Sequence, residues 1–366
     1  MKKSTKTQVR KSSEKAVYAS IGLDVSDRKT CVIGLSSEGS VLVREVVASR
    51  APALEAWARS IAPTVMALEA GPLSPWMSRL LSRCGHEVIV ANPAKVPSIS
   101  RSRKKDDWRD AEQLARLARF DRKMLHEIHH RSEQTQKDLQ VIRSRDAAVR
   151  ARSKLINHVR ATVKAHGQRM NRCSAESFVR RAQTEIEAEL LAIVASILEA
   201  IHGLSAAIRN YDDRIEQLAR TRYPDTRWLM QVRGVGALTA LAFMLVLEDA
   251  RKFSSSRMVG PYLGLTPGRD QSGEIDPQKG ISKEGDRLMR RLLVQSAHYI
   301  LGPHGEDCDL QRHGRAMTER GGKNAKKRAA VAIARKLAVL LHHLWISKDT
   351  YIPLHNQPKA TELDAA

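Results

Sequence analysis

Apolar and polar positions follow a two-residue rhythm early in the chain and a three- and four-residue rhythm later, so two kinds of structural material are expected. In YASIGLDVSDRKTCVIGL, Ile21 and Leu23 precede Asp24 and a turn follows, which sets that carboxylate at the C-terminal edge of a strand. Val32 and Ile33 begin a second strand, and SSEGSVLVREVV turns into a third, giving a three-stranded antiparallel meander. A helix near Ala51 to Ile61 is expected next, then a short strand from Thr64 to Leu68 ending in Glu69. After a further helix, another strand lies around Val88 to Val90, so Asp24 and Glu69 can stand on neighbouring strands. In RSRKKDDWRDAEQLARLARF, Asp107, Asp110, Leu114 and Leu117 share one helical face, directed at the sheet.

From about Arg131 to Arg222 there is no proline and the period is helical. Leu190, Val194, Ile197, Ile201, Leu204, Ile208, Tyr211, Ile215 and Leu218 alternate steps of four and three, the pattern of a coiled-coil seam. An earlier helix repeats Ile142, Val149, Ile156 and Val163 every seven residues, with Arg143, Arg145, Arg150, Arg152 and Arg160 on its other faces. An antiparallel helical hairpin with its turn near Met170 to Ser174 is expected, either a structural spacer or a dimerising arm that tracks a nucleic-acid backbone.

A third unit begins after Tyr223-Pro224. Gly234 and Gly236 bracket a Gly-Val-Gly turn into an apolar helix, as in helix-hairpin-helix modules, and such a turn can offer backbone N–H groups to a phosphate. It equally suits simple helix packing. A Gly- and Pro-rich stretch follows with Ser272 before Gly273, then Lys279, Lys283, Arg287, Arg290 and Arg291. By chemistry alone Ser272 is an ordinary turn residue.

Charge sharpens the picture. The 366 residues carry 62 Lys and Arg against 40 Asp and Glu, a net charge of +22, which points to a polyanionic partner. The cations cluster in the N-terminal tail, at Arg101, Arg103, Lys104 and Lys105 beside the acidic pair, from Arg143 to Arg160, and from Lys323 to Arg328. Nucleic-acid contacts are accordingly assigned to Arg101, Arg103, Lys104, Lys105, Arg143, Arg150, Gly234, Gly236, Lys279, Lys283, Arg287 and Arg290. Four scattered cysteines indicate neither a disulfide framework nor a zinc site and suit a reduced, cytoplasmic setting. No apolar run approaching the roughly 18–20 residues of a membrane span is read, nor a signal peptide, so no membrane partner is expected.

Asp24, Glu69, Asp107 and Asp110 would converge four carboxylates on one point, where their mutual repulsion calls for a cation. Magnesium takes oxygen ligands, and two such ions roughly 3.5–4 Å apart stabilise both oxygens of a phosphodiester displacement. Asp106 shares a face with Asp110 but suits a helix N-cap equally well.

The ordered set IGLD, LEA, D-x-x-D-A, V-x-G-V-G, GLTP and QSG followed by a basic S-K-x-G helix resembles the bridge-RNA-guided insertion-sequence transposases, over nearly the whole chain. AGPLSPW after Glu69 replaces the Thr-Gly-rich turn of that pattern. The resemblance implies an α/β RuvC- and RNase H-like DEDD nuclease domain at 17–130, a helical coiled-coil arm at 131–223 and a mainly helical transposase domain at 224–355. Disordered tails would occupy 1–16 and 356–366. It further implies that Asp24, Glu69, Asp107 and Asp110 hold magnesium and that Ser272 attacks the DNA as a serine recombinase would. Donor and target duplexes and a non-coding bridge RNA would be the partners of a homodimer that pairs into a tetramer. The competing readings are a RuvC-like junction nuclease using metal-activated water and a non-catalytic nucleic-acid-binding protein. An actin-like ATPase is disfavoured, since Val25-Ser26 supplies no glycine for a phosphate loop.

Overall fold

A computed structural model of the chain describes residues 15–93, 95–96, 106–268 and 279–356. The chain divides into two compact units, Met1–His130 and Arg131–Ala366. Ser272, Arg101, Arg103, Lys104 and Lys105 lie outside the described residues, as do most of the two tails.

The first unit is built on five strands: β1 (Ser20–Val25), β2 (Lys29–Leu35), β3 (Val41–Ala48), β4 (Val65–Glu69) and β5 (Glu87–Ala91). They lie in the order β3-β2-β1-β4-β5, with the β1-β2-β3 meander antiparallel and β1-β4-β5 parallel. Helices cover both faces, which is why β1 reads as a continuous buried run rather than a half-polar one. On one face Ile21, Leu23, Val32, Met66 and Leu68 pack against α1 (Ala51–Arg59) and α2 (Ser74–Arg83). Pro52 and Pro75 sit in the first turns of these helices, where a missing N–H costs nothing. On the other face Cys31, Ile33, Ala67 and Ile89 meet α3 (Asp107–Phe120) through Ala111, Leu114, Ala115 and Ala118.

Two residues assigned to tails are held. Ala16 bridges to Ile61, donating to the Ser60 carbonyl at 3.3 Å and accepting from Ala62 N–H at 2.9 Å. Asn356 donates from its backbone and its amide to Asp309 Oδ2, at 3.0 and 2.8 Å.

In the second unit α4 (Glu133–Ala165) and α6 (Ala188–Thr221) run antiparallel, since Asp138 meets Arg222, Arg145 meets Asp212 and Arg152 meets Ser205. Their connection is longer than the expected turn, for a short helix α5 (Phe178–Glu185) tucks Phe178 and Ala182 against the pair. The buried stripe of α6 also departs from the expected seam: Leu198, Ser205 and Ala219 are buried, while Ile197, Leu204, Tyr211 and Leu218 are only half-buried. A straight helix of 3.6 residues per turn drifts away from a 3.5-residue repeat, so the stripe wanders across the face. Arg145 and Arg152 belong to the inner face rather than the outer ones. Asp138, Arg145, Arg152 and Val159 form a second sevenfold series beside the apolar one, and the charges of that series hid it from a hydrophobic pattern.

The unit continues without division through Tyr223-Pro224 into α7 (Thr226–Leu229), α8 (Ala237–Leu247), α9 (Val259–Tyr262), α10 (Arg287–Leu301), α11 (Asp309–Glu319) and α12 (Ala325–Ser347). Apolar on every side, α8 is buried from Thr239 to Leu247 and forms the centre of a core shared by α10, α12 and residues of α4 and α6 such as Ile142 and Ile215. Contrary to the expectation from sequence, α6 and α12 are each long and apolar enough to cross a membrane by length and composition, although the apolar stretch of α12 is half buried within the unit.

Candidate active site

The site begins with a glycine. In IGLD, a Cβ on Gly22 would lie 1.8 Å from the Ala111 carbonyl oxygen and 2.5 Å from Ala115 N, so only glycine lets α3 lie directly on β1. Ser20 reinforces the contact by donating its hydroxyl to the Ala115 carbonyl at 2.8 Å. Side chains alternate along a strand, so Asp24 projects from the same face as Gly22, the face that α3 covers.

The parallel pairing of β1 and β4 ends with Leu23 beside Leu68, which makes Asp24 and Glu69 the next residue on each strand. Glu69 shares the face of Ala67, and that face also carries α3. Both carboxylates are half-buried at the C-terminal edge of the parallel strands. Across the antiparallel pairing, Asp24 stands opposite Cys31.

Helix α3 brings the remaining acids. Asp106 accepts from Trp108 N–H at 3.2 Å and is the N-cap of α3. Asp107 is exposed and pairs with Lys29 at 3.5 Å, whereas Asp110 is half-buried one turn on. Trp108, packed against the sheet, has the Arg44 guanidinium over its ring at 4.5 Å. The buried Cys31 thiol reports the electrostatics: burial pushes its pKa up, and the negative fields of Asp107, Asp24 and Asp106 push it further against the opposing field of Lys29. The donors are oxygens throughout, as a hard divalent cation requires, and the fields of Asp24, Asp106 and Asp107 overlap at Cys31. They fit such an ion by chemistry. Among the described residues, however, no three acidic, His or Cys side chains stand together as a finished metal site.

The second unit sorts the remaining candidates. Gly234 has φ +90°, and a Cβ there would meet the Tyr299 ring at 2.8 Å, so this turn is fixed by packing on α10. Gly236 is the exposed N-cap of α8 with open space around its Cα. Arg143 pairs with Asp286 at 3.3 Å and Arg150 with Asp146 at 3.0 Å. Arg290 donates to the carbonyls of Leu263 and Glu284, clamping the GLTP segment to the start of α10. Arg143 and Arg150 stay largely exposed in these pairs. Lys279 and Lys283 instead line a cleft of about 1360 Å³ with cations of α12.

The described residues on either side of Ser272 pair with each other. Pro267 bridges antiparallel to Ile281, Gly268 N–H donates to the Gly280 carbonyl at 3.0 Å, and Ser282 N–H donates to the Thr266 carbonyl at 2.8 Å.

Two family models match the chain in order: a DEDD-type IS110 transposase model over residues 21–167, and the transposase IS116/IS110/IS902 family over residues 226–307. The transposase for insertion sequence element IS1328 of Yersinia enterocolitica is 30% identical over 284 residues, covering 77% of this chain and 83% of that protein. The chain belongs to the IS110/IS116 family of insertion-sequence transposases. It is also similar to the transposase for IS1111A of Coxiella burnetii, 26% identical over 339 residues and 90% of both proteins. A probable family 20 transposase of Pseudomonas aeruginosa is 27% identical over 340 residues, 91% of this chain and 98% of its own length. The transposase acts on DNA, and the first matched region spans β1 through α4, including Asp24, Glu69, Asp107 and Asp110.

The sequence pattern missed Gly22 and the α12 cations Arg335 and Lys336. A glycine in the middle of a buried strand is the usual mark of close backbone approach, and would have located the α3 contact.

Proposed function

We propose that this transposase cuts and rejoins donor and target DNA through a phosphoserine at Ser272, with Asp24, Glu69, Asp107 and Asp110 holding magnesium. The observation that carries the metal assignment is the placement of Asp24 and Glu69 at adjacent parallel strand ends, on the face where α3 delivers Asp107 and Asp110. The bound ions would supply charge neutralisation on the phosphate oxygens.

The chain's own residues perform the rest. Ser272 Oγ forms a bond to phosphorus and gives up its proton to a base; one P–O bond to deoxyribose breaks, and the freed oxygen takes a proton. Joining is the reverse with a different DNA hydroxyl, so no nucleotide cofactor is consumed. Pro267 and Ile281, on either side of the stretch that holds Ser272 in the sequence, bridge to each other. A bridge RNA would choose the sites by base pairing, leaving backbone and shape contacts to the basic protein. Only 4% of the residues are aromatic, too few for base stacking to be the main reader. Dimers would pair into a tetramer around two duplexes, acting in the cytoplasm where chromosomal DNA is reached.

The test incubates the purified chain with RNA transcribed from the flanks of its element, magnesium and labelled duplexes, followed by a denaturing gel. Wild type should form a magnesium-dependent protein–DNA adduct that Ser272→Ala abolishes, and Asp24→Asn should abolish cleavage while sparing binding. Free nicked DNA from both wild type and Ser272→Ala, with no adduct, would make it a nuclease using water. Adduct formation unaffected by omitting the RNA would remove the guide.

A further inference from the structure

The cleft lies within the second unit, with Leu265, Pro267 and Lys279–Lys283 on one side and residues of α11 and α12 on the other. On one wall α12 carries Lys327 and Arg328, and then Arg335 and Lys336, on one face. The two pairs are eight residues apart, about 12 Å along a helix. Val331 and Ala332 fill the space between them, so the wall alternates charge with an apolar floor. The opposite wall presents Lys279 and Lys283.

Lys283 is held in an uncommon conformation. Its φ of +60° lies in the left-handed region, and its N–H donates to the Gly264 carbonyl at 3.2 Å. The neighbouring backbone admits no slack: a Cβ on Gly264 would lie 2.2 Å from the Glu284 carbonyl oxygen, and one on Gly285 equally close to that of Tyr262. A strained backbone that aims a cation into a cleft is a functional signature when the outlier itself is observed.

The charge balance is lopsided. No carboxylate is among the described residues lining the cleft. His313, on the α11 side, reports the excess: burial first, then the fields of Lys336 and Arg320, hold its pKa below the usual histidine range. No Phe, Tyr or Trp is among the described lining residues, so splayed RNA bases would find no stacking surface there. Cations over an aliphatic floor suit the sugar–phosphate edge of a paired strand.

We propose that this cleft seats the backbone of duplex DNA, with Arg335 and Lys336 at one phosphate position, Lys327 and Arg328 at another, and Lys279 and Lys283 closing from the opposite wall. It rests on the chain's being a transposase and adds the location and residues of a DNA track. Because the contacts go to phosphates, the track has no sequence preference of its own, as suits a protein whose sites are chosen elsewhere.

The experiment is fluorescence anisotropy of the full chain with a labelled DNA duplex and a labelled RNA stem-loop, in EDTA to prevent cleavage, across a salt series. The variants are Arg335→Gln/Lys336→Gln and, independently, Lys327→Gln/Arg328→Gln, each exposed pair replaced by good helix formers and checked by thermal melts. Each should weaken duplex binding on the order of ten-fold or more near physiological salt and lower the slope of log affinity against log salt by about 1, for the one phosphate position that each pair serves. As a charge-matched control, Arg209→Gln/Arg214→Gln on the exposed side of α6 should leave the slope unchanged. An equal slope loss in this control, or a loss confined to the RNA, would overturn the track. Wild-type duplex binding with unaltered slopes in both cleft variants removes the cleft alone, whereas a wild type that binds no duplex even at low salt undercuts the action on DNA itself.

Discussion

At the scale of single residues, the candidate site depends on groups that do no chemistry. At Gly22 the backbone of α3 lies directly on β1, so Gly22→Ala must push the helix that carries Asp107 and Asp110 off the sheet. It should cost about 3 kcal/mol or more, the upper end of overpacking, and abolish cleavage. A thermal midpoint equal to wild type would show that the contact yields. Asp138 makes the second residue-scale case. Burial opposes its ionisation, yet hydrogen bonds from Arg222 at 2.9 Å, Tyr223 at 2.8 Å and Gln134 at 3.1 Å outweigh it and hold its carboxyl below the usual range. The same carboxylate, together with burial, pushes the Tyr223 phenol up to about 12. Asp138→Asn keeps the shape and removes the charge, and should lower unfolding stability by about 2 kcal/mol in urea titrations.

At the scale of elements, the α4–α6 pair joins an apolar seam to a polar one. Arg152 is 7% exposed, donates to Ser205 at 3.2 Å and to Glu176 at 3.1 Å, and its Nε finds no partner among the described residues. A buried guanidinium in that condition contributes little net stability, but removing it alone opens a hole beside polar neighbours. Arg152→Ala is therefore expected to destabilise by about 2 kcal/mol, while Arg152→Leu with Ser205→Ala should be neutral or stabilising. Equilibrium unfolding of both variants decides this, and a Leu/Ala double variant as unstable as Arg152→Ala would mean that the polar seam itself holds the pair in register.

At the scale of the whole molecule, each compact unit has its own apolar core, and the second is pinned by a buried histidine. His342 places its two ring nitrogens 2.9 Å from Ser256 Oγ and 2.9 Å from the Ala250 carbonyl oxygen. Burial holds its pKa below the ordinary 6.5, more than the Ala250 contact raises it. The unfolded chain then binds the proton more readily than the folded one, so stability is full above about pH 6.5 and falls as pH drops below it. Thermal melts from pH 7 down to 5 should show this decline, and His342→Gln should flatten it. A variant with the wild-type slope would assign the decline to other groups.

What the chain determined by itself was everything local in origin. The two-residue rhythm specified the meander, short apolar runs the β4 and β5 strands, and helical periodicity placed α3, α4 and α6, because burial acts on every residue of an element. The strand-end positions of Asp24 and Glu69 followed, as did the common face of Asp107 and Asp110. Only the tertiary structure decided that Asp106 caps α3, that Gly22 is where helix and strand meet, and that Arg145 and Arg152 turn inward. It also set Arg143 beside Asp286 and Arg290 beside the Leu263 carbonyl, and gathered the cations of α12 with Lys279 and Lys283 in one cleft. The physical reason is that a cation's role is set by which opposite charge or carbonyl arrives beside it. Such partners can stand more than a hundred residues away, as Asp286 does from Arg143, and no periodicity along the chain records them.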